Sequence, residues 1–359
     1  MTVILALLLV FLPKKSYSEN EKRMLAEFPS FSVSALMDGS YTKALESYIS
    51  DHFPFRDVFV GVNSYATTLS GRENQNGVYL LKDGSLVAHP GNGGTVDPAK
   101  LERYMAMFNT FSEKMNIDAS LMLVPTPGYM KQDMLPSYHL DYYDDQLFDI
   151  VENNKGDINY IDLLKAFEGE KGIYYNTDHH VTGYGSYLMY IEYCKSLGIE
   201  PEGFEVSQTI DGFYGTNYSK SGLWLTNPDT IDVYSSDNGY KYTVTIDDIT
   251  EKNSYDSLYF YGHKDNYDKY PIFLDGNHAI TTIENHNNKN GKTLLILKDS
   301  YAHCFATMVC ENYETVIMVD LRYYRGAVSQ LIEEREVDEL LFLYGVENAA
   351  SMSDIGLLR

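Results

Sequence analysis

The chain has 359 residues and a formal net charge of −23, from 28 Lys and Arg against 51 Asp and Glu. This acidic balance argues against nucleic-acid binding and against adhesion to anionic membrane surfaces, because both need clustered positive charge. Hydrophobic residues make up 44% of the chain, which is enough for a core and excludes an acidic disordered protein. The composition, with 32 tyrosines, suits substrates that carry neutral hydroxyl groups, such as glycans.

The N-terminus carries an apolar run over residues 3–12, followed by Lys14 and Lys15. The run is shorter than the ~20 residues that span a bilayer, and no basic residue precedes it. We expect residues 1–18 to be a signal or signal-anchor segment, either whole or lacking its start. A buried N-terminal segment is the alternative.

Residues 19–75 are predicted to form a helical N-terminal extension. Apolar residues recur at helical spacing over residues 34–49, with a break at Asp38-Gly39, and a further helix is predicted over residues 60–69. A hairpin follows, because residues 78–81 and 86–87 are short apolar runs around an Asp-Gly turn.

The remainder of the chain, residues 76–359, is predicted to be one α/β domain. Its predicted helices cover residues 98–115, 147–153, 183–197 and 326–334, and its short apolar strands cover residues 120–124, 158–161, 293–297, 316–319 and 339–344. This alternation predicts a mostly parallel sheet with helices on both faces. Residues of about 201–290, rich in Asn, Asp, Tyr and Gly, are predicted to be an insertion with antiparallel strands near residues 240–246 and 257–261.

The cysteines do not indicate a metal site or a disulfide framework. Cys194, Cys304 and Cys310 lack metal-ligand spacing, and their odd number excludes full pairing. We expect small buried side chains, with a reactive Cys304 as the alternative. A zinc site around the adjacent His179 and His180 is a further alternative, but adjacent histidines chelate one ion poorly. No metal and no cofactor is therefore expected.

Two segments carry the residues of a nucleophilic site. Ser300 directly follows a predicted strand and precedes a predicted helix, where backbone N–H groups can hold an oxyanion. An ordinary helix cap is the other interpretation. Asp178 and His180 lie two residues apart, so the carboxylate can hold the imidazole as a general base. Together these three residue types meet the chemical requirement for acyl transfer, but the sequence alone does not show that they lie close together in space.

Residues 177–185, with the sequence TDHHVTGYG, resemble the signature of the bacterial DHHW family. That family resembles the SGNH-like acyltransferase domains of alginate O-acetylation. Further blocks that resemble it stand in order at residues 23–29, 51–56, 76–79, 298–302, 319–324 and 343–348. The likeness covers nearly the whole chain after residue 19. The sequence departs from the family signature at Val181, where the signature has tryptophan. This difference affects either local packing or a surface on which a sugar could stack.

The resemblance implies a three-layer α/β/α SGNH hydrolase-like sandwich with a mostly parallel sheet, the helical N-terminal extension and the partly antiparallel insertion. It implies Ser300 as nucleophile, His180 as general base and Asp178 as the residue that orients it. The pair precedes the serine, as in the alginate-type relatives. Candidates for oxyanion or substrate contacts are Tyr301, Ala302, Asn348, His179, Arg56 and Arg322. A turn role for Asn348 and core pairing for both arginines are the alternatives.

These expectations favour an extracytoplasmic serine O-acyltransferase that transfers an acetyl group to a cell-surface or secreted polysaccharide or oligosaccharide. The resemblance implies an integral-membrane acyltransferase as acyl donor and a location at the bacterial cell envelope, anchored or secreted. A carbohydrate acetylesterase would use the same triad with water as acceptor. A non-catalytic glycan-binding or assembly protein is the third hypothesis, which a separation of Ser300 and His180 beyond hydrogen-bond reach would favour.

Overall fold

The structure is a computed structural model that describes residues 2–72, 74–91, 94–236, 238–248 and 250–358. Its helices are α1 Thr2–Phe11, α2 Val33–Met37, α3 Ser40–Asp51, α4 Arg56–Leu69, α5 Pro98–Met115, α6 Pro127–Met130, α7 Asp144–Asn154, α8 Leu163–Phe167, α9 Gly183–Leu197, α10 Thr216–Ser221, α11 Ala302–Val309, α12 Val328–Glu334 and α13 Val346–Ser351. Its strands are β1 Tyr17–Ser18, β2 Arg23–Met24, β3 Asn74–Gln75, β4 Val78–Leu80, β5 Leu86–Ala88, β6 Asp118–Val124, β7 Asn159–Ile161, β8 Glu205–Phe213, β9 Asp229–Ser235, β10 Tyr242–Asp248, β11 Glu251–Tyr255, β12 Ile280–Asn285, β13 Thr293–Lys298, β14 Thr315–Val319 and β15 Glu339–Gly345.

The central sheet has the strand order β11-β10-β12-β14-β13-β15-β6-β7. The strands from β14 to β7 pair in parallel, as expected for strands joined through helices. The strands β10, β11 and β12 add to one edge in antiparallel fashion. The predicted mostly parallel sheet with an antiparallel insertion is therefore confirmed, and these strands of the insertion extend the main sheet.

Both faces of the sheet are buried, because successive side chains of each strand point to opposite sides. In β13, Leu294 and Ile296 pack with α9 and α11 on one face. Leu295 and Leu297 pack with α5, α7 and α12 on the other face. This arrangement confirms the predicted three-layer sandwich, whose strands read as continuous apolar runs.

The N-terminal extension packs against the loop that follows α10. The predicted break at Asp38-Gly39 separates α2 from α3, and Gly39 adopts a left-handed φ of 82°. Trp224 Nε1 donates to the carbonyl of Asp57 at 2.9 Å and covers Gly61, where a Cβ would lie 2.8 Å from the indole. Among the helices of the described residues, none has both the length and the apolar character of a membrane span.

The prediction of a strand over residues 257–261 is wrong. The Ser257 hydroxyl bonds both the carbonyl and the N–H of Tyr259, and among the described residues this segment pairs through one antiparallel bridge, between Tyr259 and Phe273, rather than as a strand. A 3₁₀ turn, Tyr261–Asp265, follows, and the strand of this region is β11. The three cysteines are free and buried, as predicted.

Candidate active site

The loop after β13 brings Ser300 to the histidine that precedes α9. Ser300 lies at the carboxyl end of a parallel strand, two residues before α11 begins. Its Oγ is 2.7 Å from His180 Nε2, and His180 Nδ1 is 2.5 Å from Asp178 Oδ1. The structure thus joins these three predicted residues in one hydrogen-bonded chain, although 120 positions separate the serine from the histidine.

Asp178 is held on both carboxylate oxygens. Its Oδ1 accepts the N–H of His180 at 3.0 Å, and its Oδ2 accepts the N–H and the hydroxyl of Thr216 at 2.6 and 3.0 Å. Burial alone would raise the pKa of Asp178, but His179, His180 and the hydrogen bond to His180 hold that pKa well below its usual range. Asp178 is therefore an ionised acceptor that fixes His180 Nδ1 as a donor.

Tyr270 supports the imidazole from one face. Its ring stacks on that of His180, with centroids 3.8 Å apart and an interplanar angle of 14°. Its hydroxyl donates to the carbonyl of Ser300 at 3.3 Å. Burial holds the pKa of Tyr270 well above its usual range, so the hydroxyl remains neutral. Tyr270 therefore fixes the ring plane of the histidine and the backbone of the serine together.

Thr216 and Tyr270 were missed at the sequence level. Both lie in the insertion, which is rich in tyrosines and polar residues, and neither stands in a spaced motif. The tyrosine excess pointed to the insertion as a whole but could not single out Tyr270.

The buried carboxylate of Asp299 binds two residues, Tyr301 and Asn348, that the sequence proposes as oxyanion or substrate contacts. It accepts the N–H of Tyr301 at 3.0 Å, the N–H of Gly345 at 2.8 Å and the Asn348 Nδ2 at 2.8 Å. The N–H of Ala302 points back to the Asp299 carbonyl at 3.4 Å. These donors therefore fix the loop around Ser300 through hydrogen bonds inside the protein.

The candidate arginines are engaged in ion pairs outside the hydrogen-bonded chain of Ser300, His180 and Asp178. Arg56 forms an ion pair with Glu21 inside the extension. Arg322 pairs with Asp320 through its Nε at 2.9 Å and a terminal nitrogen at 2.5 Å. Both arginines therefore form ion pairs, and both side chains stay partly exposed.

A buried charged cluster lies beneath the end of β13. Lys298 donates to His303 Nε2 at 2.7 Å and lies 3.5 Å from Asp320, which also binds Arg322. Burial lowers the pKa of Lys298 to about 8, although Asp320 opposes the shift. Burial and Lys298 hold the pKa of His303 well below its usual range, so His303 is a neutral acceptor here.

His179 lies on the open side of His180. Its Nδ1 is 2.9 Å from the Thr216 hydroxyl, and its ring centroid is 3.9 Å from that of His180. Burial, followed by the neighbouring His180, lowers the pKa of His179, so the ring is neutral. One ligand atom from each of Asp178, His179 and His180 lies within 4.8 Å of the others, which is near enough for a metal ion. Both ring nitrogens of His180 already have partners, however, and this favours hydrogen bonding over ligation.

Val181, at the position of the family tryptophan, is fully buried in the core beneath α9. Its backbone forms a bridge to Tyr174. The side chain therefore serves packing, and this position offers no surface on which a sugar could stack.

The arrangement can perform nucleophilic chemistry at a carbonyl. His180 Nε2 is within reach of the Ser300 hydroxyl proton, and the Asp178 charge can stabilise the imidazolium that forms. Tyr270 and Thr216 hold the histidine and the aspartate in place, so the chain of hydrogen bonds is organised before any substrate arrives.

The chain is similar to three solved structures over about three quarters of its length or more. A DHHW family protein from Eubacterium siraeum is 24% identical, with a TM-score of 0.66, covering 79% of this chain and 95% of its own. PatB1 of Bacillus cereus, solved with a sulfonyl adduct, is 21% identical, with a TM-score of 0.66, covering 79% of this chain and 98% of its own. A second PatB1 structure is 21% identical and has a TM-score of 0.63, covering 76% of this chain and 96% of its own. These likenesses show the shared fold.

A comparison with curated proteins found no match. The profile of the DHHW protein family matches residues 21–85 and 144–319, which include the extension, the Asp178–His180 segment and Ser300. The chain therefore belongs to the DHHW family, with the SGNH hydrolase-like fold that its sequence resemblance implied.

Proposed function

We propose that the protein is a serine O-acyltransferase that works through an acyl-Ser300 intermediate, with His180 as general base and Asp178 as the residue that orients it. The observation that carries this proposal is the continuous chain from Ser300 Oγ to His180 Nε2 at 2.7 Å and from His180 Nδ1 to Asp178 at 2.5 Å. Both distances lie within hydrogen-bond reach, which counts against a purely non-catalytic role.

In the first half-reaction, Ser300 Oγ attacks the carbonyl carbon of an acyl donor while its proton passes to His180 Nε2. His180 returns that proton to the leaving group of the donor, and the acyl-serine remains. Among the described residues, the Ser300 N–H has no hydrogen-bond partner, so this donor is available to the oxyanion.

In the second half-reaction, His180 Nε2 takes the proton of an acceptor hydroxyl as its oxygen attacks the acyl carbon. The bond to Ser300 Oγ then breaks, and the serine recovers the proton from His180. The transferred group is an acetyl group in this proposal, and the acceptor is a polysaccharide or oligosaccharide of the cell envelope. The acidic composition with many tyrosines supports a hydroxyl-bearing acceptor.

The proposal also covers location and partners. Residues 1–18 would direct export or anchor the protein, residues 19–75 form the extension, and residues 76–359 carry the reaction outside the cytoplasm. An integral-membrane acyltransferase would supply the acyl group. The apolar residues 3–12 at the start of the chain support this placement.

Incubation with p-nitrophenyl acetate and a mixture of oligosaccharides tests the proposal. The wild-type protein should release nitrophenol in a burst and yield acetylated oligosaccharide, because the acyl group passes from Ser300 to a sugar hydroxyl. The Ser300→Ala variant should give neither. Equal products from both proteins would contradict an acyl-Ser300 route.

A carbohydrate acetylesterase with the same triad is the second candidate. Ser300 is partly exposed, so water can reach an acyl group on its Oγ. Free acetate without any acetylated oligosaccharide, formed in a Ser300-dependent way, would favour this candidate over transfer.

A further inference from the structure

The hydrogen bonds at Thr216 determine which nitrogen of His179 carries the proton. The ionised Asp178 has no proton to give, so the contact between its Oδ2 and Thr216 Oγ1 at 3.0 Å uses the threonine proton. Thr216 Oγ1 must then accept from its other neighbour, His179 Nδ1 at 2.9 Å. His179 is therefore protonated at Nδ1, and because its ring is neutral, Nε2 carries a lone pair.

The lone pair on His179 Nε2 is open to a ligand. Within the described part of the chain, this nitrogen has no hydrogen-bond partner, and the His179 side chain is 32% exposed. His179 also lines a cavity of about 190 Å³ together with Thr216 and Tyr301. The rings of His179 and Tyr301, which line the cavity, have centroids 3.9 and 5.6 Å from that of His180, so the cavity adjoins the His180 ring.

The rest of this cavity combines apolar and polar walls. Apolar side chains such as Val124 and Val346 lie beside Tyr142 and Glu347, and Lys220 adds one positive charge. Burial raises the pKa of Glu347 to about 7, so its carboxyl is partly protonated near neutral pH and can both donate and accept hydrogen bonds. Apolar walls with a few hydroxyl, amide and carboxyl groups among them match a sugar ring, which offers both C–H faces and hydroxyl groups.

We propose that this cavity holds the acceptor of the transfer reaction, and that His179 Nε2 accepts a hydrogen bond from a hydroxyl adjacent to the one that is acylated. The inference rests on the proposed transferase function and narrows its substrate class to sugars or other alcohols with neighbouring hydroxyl groups. His180 Nε2 takes the proton of the reacting hydroxyl, whereas His179 gains and loses no proton.

Nitrogen NMR of the full-length protein tests the tautomer and the binding without any reaction. Long-range ¹H–¹⁵N spectra should show His179 protonated at Nδ1 and unprotonated at Nε2. Addition of trans-1,2-cyclohexanediol, a minimal mimic of a sugar ring, should move the Nε2 resonance. A protonated Nε2, or a resonance that stays unmoved by the diol, would overturn the inference.

Partition of the acyl-enzyme between two alcohols tests the role in transfer. Acceptors are trans-1,2-cyclohexanediol and cyclohexanol, which differ by one neighbouring hydroxyl, and the ratio of the two esters is measured for each protein. Wild type should favour the diol. His179→Asn keeps a donor near Thr216 but removes the ε acceptor, so the preference should fall about 2- to 12-fold. His179→Gln places an amide oxygen at the ε position and should restore part of it.

The outcomes separate this inference from the function on which it rests. Absence of any Ser300 acylation would refute the transferase and leave the NMR result to decide whether His179 binds a diol. Acylation with equal use of both alcohols, or an unchanged preference in His179→Asn, would refute the role of His179 while the transferase stands.

Discussion

Gly215 lies where any side chain would displace Asp178. A Cβ at this position would lie 2.2 Å from the Asp178 Cβ, 2.5 Å from its Oδ2 and 2.5 Å from the carbonyl of Thr177. Carbon atoms in contact are normally ~3.5–4.0 Å apart, so Gly215→Ala requires a relative shift of over about 1 Å. The backbone φ of −84° is ordinary for alanine, so the effect of the substitution is steric.

The expected result of Gly215→Ala is an active site that is folded but misaligned. A displacement of ~1 Å can cost about 100-fold in rate, so the burst of nitrophenol from p-nitrophenyl acetate should slow by about that factor. Overpacking should also lower the free energy of unfolding by about 1–3 kcal/mol, measured by urea denaturation.

Gly203→Ala is the matched control, because a Cβ there meets nothing within 4 Å. It should leave both the burst rate and the stability near those of wild type. A Gly215→Ala protein that acylates as fast as Gly203→Ala would refute the claim that the position of Asp178 sets the activity of Ser300.

Three further substitutions probe the same site and the cluster beneath it. Asp178→Asn should lower the burst rate by about 10³- to 10⁴-fold, because an amide no longer fixes the tautomer of His180; a loss below tenfold would contradict this. Thr216→Val removes a hydroxyl from a charged acceptor and should slow the burst about tenfold, whereas wild-type rates would show that the hydroxyl is dispensable. Burial lowers the pKa of Lys298 to about 8 in the folded protein. Between pH 8 and the ordinary pKa of a lysine, the unfolded chain therefore binds more protons than the folded protein, and the free energy of unfolding rises with pH over that range. The free energy of unfolding of wild type minus that of Lys298→Met should therefore increase by about 2 kcal/mol from about pH 7.5 to about pH 9.5 in urea titrations, and a flat difference would count against it.

The sequence predicted secondary structure correctly where the apolar periodicity and the residue composition indicated the same element. The helices Pro98–Met115 and Gly183–Leu197 begin where the sequence predicts because an aspartate and a threonine cap their first turns, and they end where Asn116 and Gly198 adopt left-handed conformations. Buried parallel strands were equally visible as short apolar runs. Residues 257–261 were misassigned because the Ser257 hydroxyl bonds the backbone of Tyr259 and the segment pairs through one bridge to Phe273, which composition does not reveal.

The candidate site was predictable only in part. Ser300, His180 and Asp178 could be named from strand ends, residue types and family resemblance, and the structure brings them together. The partners that hold them, Thr216 and Tyr270, come from a segment whose path across the sheet edge is a tertiary property. No local pattern specifies which tyrosine of a tyrosine-rich insertion will stack on a given histidine.

The hydrogen bonds of the donors near Ser300 depend on tertiary structure for a related reason. The N–H of Tyr301 follows the serine and was a reasonable oxyanion donor from sequence, yet the neighbouring Asp299 carboxylate takes it up. Asn348 is drawn to the same carboxylate from beyond β15. Competition among nearby acceptors decides which one each donor binds, and the spacing of residues along the chain does not predict the outcome.

Covalent labelling of Ser300 tests the central claim most directly. The protein would be treated with phenylmethylsulfonyl fluoride, digested and mapped by mass spectrometry, with His180→Ala and Ser300→Ala treated alongside. We expect a sulfonyl group on Ser300 in wild type, much slower labelling of His180→Ala, and no label at this position in Ser300→Ala. An unlabelled Ser300 in folded wild-type protein, or labelling that does not depend on His180, would contradict the account.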